Sequence, residues 1–253
     1  MILHYQLTGS GPAVVLIHGL FGSFENLGSI ARALSDEFQI INIDVRNHGR
    51  SAQSDEINYP LLAADLAETL AQLQITPYAI VGHSMGGKIA MEYALHHPEA
   101  VSRLVLADIA PVSYHPRHHS IFAGLNSVDL ATVASRAEAD KQLAVHIHEA
   151  GVRQFLLKSL DKTDDGFRWR FNLAALQTHY AELISAPQAS GQFAGPALFI
   201  KGSESDYILP EHRPLIMQHF PAAQAKIIQG TGHWLHAEKP AAFNKLVRDF
   251  LLS

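Results

Sequence analysis

A serine flanked by glycines stands at the centre of Gly82-His83-Ser84-Met85-Gly86-Gly87, directly after the apolar run Tyr78 to Val81 and before a segment with helical spacing. The G-x-S-x-G pattern alone is weak, since a chain of this size holds one by chance about a tenth of the time. The flanking elements give it meaning. A strand that feeds into a helix through one residue forces that residue into a strained turn, and a Cβ two positions to either side would collide, hence the glycines. Ser84 is then expected above the sheet edge with its hydroxyl at a helix N-terminus, where free N–H groups favour developing negative charge. An ordinary glycine-rich turn with a capping serine is the plain alternative. The implied chemistry is nucleophilic attack, and a serine hydroxyl needs a base to take its proton. Sixteen histidines offer candidates, and with no cysteine in the chain a thiol nucleophile and thiolate metal sites are excluded.

Positioning such a serine requires an alternation of strands and helices, and the chain shows one. Short apolar runs predict buried parallel strands near Ala13 to Ile17, Gln39 to Ile43, Tyr78 to Val81 and Arg103 to Ala107. A half-polar strand near His4 to Thr8 is expected toward an edge. Helical spacing predicts helices near Asn26 to Ser35, Pro60 to Gln74 and Met85 to His97, the last stopped by Pro98. From Pro111 to Gln192 no buried strand is expected and the segments read as an inserted helical unit. The alternation resumes at Ala197 to Lys201 and Lys226 to Gln229 and closes with a helix from Pro240 to Leu252. This is an α/β architecture, a mostly parallel sheet with helices on both faces, interrupted once after its fifth or sixth strand. Residues 1–110 and 193–253 form the core and 111–192 the cap, with ligands expected at the carboxyl ends of the strands.

Composition narrows the function classes. The chain has 253 residues, 47% hydrophobic and 17% charged, enough for one large core without cross-links or metal. A formal charge of -5 without a basic stripe argues against nucleic acid. No window approaches the uninterrupted apolar length of a membrane span, and no basic leader precedes an apolar stretch at the N-terminus, so no membrane partner and a cytoplasmic location are expected.

The combination of His18-Gly19-Leu20-Phe21-Gly22, Asp44-Val45-Arg46-Asn47-His48-Gly49-Arg50-Ser51, Gly82 to Lys88, Asp108-Ile109-Ala110-Pro111 and Gly232-His233-Trp234 resembles the α/β-hydrolase family over nearly the whole chain. It is similar in particular to bacterial YbfF-type esterases and their eukaryotic abhydrolase relatives. The resemblance implies a small serine esterase or thioesterase, some members acting on acyl-CoA, with no cofactor. It also implies an order of serine, acid and histidine, and this points to His233, whose neighbouring glycines let a short loop aim the imidazole back across the sheet. His236, His18, His48 and His83 read as core or solvated histidines. Two acids compete. Asp206 sits where the acid commonly follows the strand after the insertion, although counting from Gly202 puts Ser205 in that slot. Asp108 ends an earlier strand, and in the YbfF-like subgroup that strand supplies the acid while a serine takes the later position, so the resemblance favours Asp108 as the catalytic acid with Asp206 as the alternative. Asp44 is expected to shape a turn, and Asp65 and Asp129 to lie on polar helix faces.

The family further implies an oxyanion hole from the N–H groups of Met85 and Leu20, with Phe21 the competing neighbour of Leu20. Phe21 and Trp234 are expected to touch substrate from the core, and Phe122, Trp169, Phe171 and Tyr180 to wall the pocket from the cap. The stretch His115, Arg117, His118, His119 lacks metal-ligand spacing, and its alternative role is contact with a polar or anionic substrate head group. The expected activity is hydrolysis of carboxylic esters or acyl thioesters through an acyl-enzyme, on a small-molecule substrate, by a monomer or homodimer. C–C bond hydrolysis, perhydrolysis and a non-catalytic ligand receptor are the competing readings of the same scaffold.

Overall fold

The computed structural model describes residues 1–253. The chain opens with strands β1 (Tyr5–Thr8), β2 (Ala13–Ile17), helix α1 (Gly28–Leu34), β3 (Gln39–Ile43), α2 (Tyr59–Leu73), β4 (Tyr78–His83), α3 (Met85–His96) and β5 (Val101–Ala107). The insertion follows with α4 (His119–Ser127), α5 (Arg136–Ala144), α6 (Ala150–Leu157), a hairpin of β6 (Leu160–Thr163) and β7 (Gly166–Trp169), α7 (Leu173–Thr178) and α8 (Tyr180–Ile184). The core then closes with β8 (Ala197–Gly202), α9 (Arg213–His219), β9 (Ala223–Ile228), α10 (Leu235–Glu238) and α11 (Pro240–Leu252). The main sheet runs β1-β3-β2-β4-β5-β8-β9 and is parallel apart from the edge strand β1.

The interior strands are largely apolar because both of their faces are covered, with polar residues such as Asn42 in β3 and Arg103 in β5 as exceptions. Alternate residues of β2 go to opposite sides. Val15 and Ile17 join the cluster built with α2 and α3, whereas Val14 and Leu16 join the cluster under α1 and α11, with Ile30, Leu34, Phe243 and Val247. The pairing of β4 with β5 sets His83 opposite Ala107, so the residues that follow, Ser84 and Asp108, leave the sheet side by side. The Ser84 N–H donates to the Ala107 carbonyl at 3.0 Å and the Asp108 N–H to the Ile200 carbonyl at 2.8 Å, which fixes both strand ends.

The insertion departs from the all-helical expectation. Its hairpin strands are four residues each and half polar, with Asp161, Lys162 and Arg168 among them, so no buried run announces them. The insertion follows the fifth strand. Strand β9 begins at Ala223, paired with Ala197 of β8, earlier than the expected Lys226 because Ala223, Gln224 and Ala225 give no strong apolar signature, and α9 lies where no helix is expected.

Two aspartates also sit differently from expectation. Asp65 is 1% exposed, not on a polar helix face. Its carboxylate takes a two-pronged grip from Arg46, Nε at 2.7 Å and Nη2 at 2.9 Å, and accepts from the N-terminal ammonium at 2.7 Å. Asp129 lies in a turn before α5, accepting from the Thr132 hydroxyl at 2.6 Å. Removing one partner of a buried ion pair leaves the other uncompensated. Asp65→Asn is therefore expected to lower the unfolding free energy by about 3 kcal/mol, read as a shift of the urea midpoint at constant slope.

Candidate active site

Ser84 occupies φ 54° and ψ -119°, a conformation that non-glycine residues rarely adopt. It is held because its surroundings leave no alternative. A Cβ at Gly82 would strike the Gly86 backbone, and one at Gly86 would lie 2.7 Å from the Ile17 carbonyl carbon. Asp108 at φ 52° and Phe21 at φ 63° share this strain, so three of the five non-glycine residues with positive φ border one site. Backbone strain of this kind persists where the fold over-determines it, typically at functional sites.

The His233 Nε2 lies 2.9 Å from Ser84 Oγ, and its Nδ1 lies 2.8 Å from Asp108 Oδ2. An ionised carboxylate only accepts, so Nδ1 carries the proton and Nε2 is free to accept from the serine hydroxyl. The Asp108 carboxylate is fully buried and accepts also from the Gly202 N–H at 3.1 Å and from the Ser205 hydroxyl. Asp206, the competing acid, is not placed at the imidazole. Its side chain is 71% exposed and pairs with Arg117 at 2.8 Å, because the residue after Ser205 turns outward to solvent.

Residues with no catalytic pattern in the sequence hold His233 in place. The Tyr207 ring stacks on its imidazole with centroids 3.7 Å apart and planes 13° from parallel. His83 Nε2–H donates to the His233 carbonyl at 2.9 Å, and His236 packs against His83 at 4.3 Å. Burial pushes the His83 imidazole well below its ordinary value and His236 down to about 3, so both are neutral connectors.

The loop after β2 is clamped by two more buried histidines. His18 Nδ1–H donates to the Gly19 carbonyl at 2.8 Å while Nε2 accepts from the Val45 N–H at 3.1 Å. His48 Nδ1–H donates to the Arg46 carbonyl at 2.9 Å while Nε2 accepts from the Phe21 N–H at 3.2 Å. The Phe21 N–H is therefore occupied. The Leu20 and Met85 N–H groups bond no protein acceptor, and both residues line the cavity over Ser84. A Cβ at Gly19 would stand 3.3 Å from the Ser84 Cβ, so glycine keeps this loop close to the serine.

Of the 21 residues that line that cavity, 14 are hydrophobic. The core side is lined by Phe21, Met85, Ile109 and Trp234. The cap side differs from the aromatic walls expected. Phe122, Trp169, Phe171 and Tyr180 do not line it. Phe122 and Phe171 pack on the Phe21 ring at 5.4 and 5.3 Å, Trp169 stacks on Phe171, and Tyr180 packs on Phe122. They seat the cap on the core, and the wall is built by Ile121, Val152, Phe155, Leu156, Leu183 and Ile184.

Lys88, one helical turn beyond Ser84, is buried at 1% exposure on this wall. Its ammonium donates to the carbonyls of Ile184, at 3.1 Å, and Ser185, and lies 4.6 Å from the Tyr114 ring centre. Burial brings it down to about 7. One turn further, the buried Glu92 accepts from the N–H groups of Gln188 at 2.6 Å and Ala189 at 3.1 Å. Nothing in the sequence spacing marked either residue. A lysine and a glutamate four apart on a helix ordinarily signal a solvated face.

Comparison with known proteins places this geometry. Residues 12–240 match the alpha/beta hydrolase fold family. The chain is 43% identical over 239 residues to esterase YbfF of Escherichia coli K12, covering 94% of this chain and 92% of that protein. It is 40% identical over 248 residues to the sn-1-specific diacylglycerol lipase ABHD11 of Mus musculus, covering 95% and 81%. The solved structure of a marine microorganism esterase superposes with a TM-score of 0.96 at 39% identity, covering 99% of both chains. No helix is long and apolar enough to cross a membrane.

The buried histidines set an acid limit. His18 and His118 are held down to about 4 and His48 and His236 to about 3, chiefly by burial, against about 6.5 when unfolded. The native state therefore binds fewer protons than the unfolded state below 6.5, and stability falls as pH drops from 6.5 toward 4. Thermal melts are expected to lose their midpoint steadily as pH falls from 6.5 toward 4.

Proposed function

The chain belongs to the α/β-hydrolase fold family, and on that footing we propose that it is a serine hydrolase of carboxylic esters or acyl thioesters, acyl-CoA included, working through an acyl-enzyme on Ser84. The observation that carries this reading is the continuous relay from Ser84 Oγ to His233 to the buried Asp108, at 2.9 and 2.8 Å. Ester hydrolysis is the activity named for both the YbfF and diacylglycerol lipase relatives.

In this cycle Ser84 Oγ attacks the acyl carbon while His233 Nε2 takes its proton. Asp108 stays ionised, fixes the imidazole tautomer and stabilises the imidazolium. The negative oxygen of the tetrahedral intermediate is met by the unpaired N–H groups of Leu20 and Met85, donors of a kind whose loss costs on the order of a hundredfold or more. The imidazolium then protonates the leaving alkoxide or thiolate, and a water activated by the same nitrogen attacks the acyl-enzyme and frees the acid. Every group comes from one chain, so a monomer or a homodimer suffices, and the apolar wall beside Phe21 and Trp234 suits a hydrocarbon acyl chain.

The test is hydrolysis of p-nitrophenyl esters from acetate to laurate, together with labelling by a fluorophosphonate. We expect Ser84→Ala to abolish labelling and to reduce turnover on the order of a millionfold. Asp108→Asn should cost about ten-thousandfold, and Asp206→Asn far less. Full activity in Ser84→Ala would refute the acyl-enzyme, and a larger loss at Asp206 than at Asp108 would refute the assignment of the acid.

A further inference from the structure

The cavity is lined mostly by hydrophobic residues, and where the cap begins it carries a cation. Arg117 and His118 both line it there, beside Tyr114 and Tyr207. The Arg117 guanidinium lies 4.4 Å from the Tyr207 ring centre and 5.5 Å from that of Tyr114, so two rings hold it before any ligand arrives. The opposite partner of Tyr207 is the His233 imidazole. Arg117 therefore stands one aromatic ring away from the reaction centre.

The tautomer of His118 follows from its neighbours. The Tyr180 hydroxyl oxygen accepts from the backbone N–H groups of Arg117 at 3.1 Å and His118 at 3.2 Å. Its single proton is then directed to His118 Nδ1, 2.7 Å away. Nδ1 accepts, so the proton of this neutral ring sits on Nε2, which bonds no protein acceptor. Burial, with the charges of His233 and Arg117 next, keeps the ring neutral down to about 4.

Other polar side chains on the same wall are already engaged. Lys88 donates to the Ile184 and Ser185 carbonyls, Tyr59 to the Leu183 carbonyl, Tyr114 to the Tyr207 carbonyl and His83 to the His233 carbonyl. Arg117 donates through Nη1 to Asp206, a side chain 71% exposed, and its guanidinium also stands beside the Tyr207 hydroxyl. An ion pair so open to solvent is weak and screened. An incoming anion exchanges with it readily.

We propose that Arg117 and His118 Nε2–H form a subsite for an anionic group on the substrate, so that the preferred ester or thioester carries a carboxylate or phosphate at a fixed distance from its acyl carbon. Asp206 holds the place of that anion in the free protein. The proposal rests on the serine hydrolase reading for its catalytic consequence, and its binding consequence stands apart from it.

Two pairs of esters that differ in charge test the subsite. Mono-p-nitrophenyl glutarate against p-nitrophenyl valerate puts the charge on the acyl side, and 4-acetoxyphenyl phosphate against phenyl acetate puts it on the leaving group. We expect kcat/KM for the anionic member of one pair to exceed that of its neutral partner about tenfold or more, the scale of a hydrogen bond to a charged group. Arg117→Gln should collapse that ratio toward one, His118→Phe should reduce it, and Asp206→Asn should raise it. The pair that responds identifies the side. Ratios of one or below in both pairs, or a ratio that survives Arg117→Gln, overturn the subsite. Calorimetric titration with glutarate and with inorganic phosphate separates the two readings. If no ester is cleaved, the serine hydrolase reading fails, while anion binding lost in Arg117→Gln upholds the subsite and absence of binding removes it.

Discussion

A carboxylate with no exposed surface is costly to bury unless its oxygens are met by donors, and Asp108 is met by three from separate parts of the chain. The Gly202 N–H comes from the end of β8, the hydroxyl of Ser205 from the loop behind it, and Nδ1–H of His233 from the loop after β9. Three strand ends are therefore tied to one buried group. The imidazole is aimed because the carboxylate is fixed, and the carboxylate is fixed because β5 and β8 are in register beneath it. The strain at Ser84 and Asp108 is supported by the same arrangement, since both residues leave adjacent strands at the same level.

The histidines form a second layer around this centre. His18 and His48 each bridge backbone groups of different segments and work only while neutral, one nitrogen donating and the other accepting, while His83 donates to the His233 carbonyl. A lysine or glutamine in their place would lack this short, rigid pair of opposite roles. Most of the histidine surplus at the site thus holds loops, and one imidazole faces the serine.

How far the sequence reached depends on the range of the forces involved. The elbow at Ser84 was legible because its constraint is local, a steric rule within five residues. Buried strands such as Ala13–Ile17 and Gln39–Ile43 were legible to the residue, because burial on both faces leaves a mostly apolar run, in the second strand with Asn42 as its buried polar residue. The choice between Asp108 and Asp206 was not fixed by spacing, because it turns on whether a loop bends inward or outward by one residue. Ser205 pointing at Asp108 settles which way it bends in the fold. The cap walls were misjudged for a related reason. Aromatic content marks where large surfaces meet, and here the largest meeting is cap against core at Phe21, Phe122 and Phe171, not cap against cavity. The hairpin within the cap escaped because four-residue, half-polar strands carry no periodic signal.

The tether from Lys88 to the end of α8 links two properties that would otherwise vary separately. Lys88 sits one turn from Ser84 on the same helix, and its ammonium grips the carbonyls beside Leu183 and Ile184, which form part of the cavity wall. Widening the cavity by displacing α8 pulls on the helix that follows Ser84. The opposite wall has no such tie, since Val152, Phe155 and Leu156 of α6 meet the cavity through apolar contact alone. The cavity therefore has a yielding side at α6 and a tethered side at α8, and a larger occupant is accommodated by displacing α6.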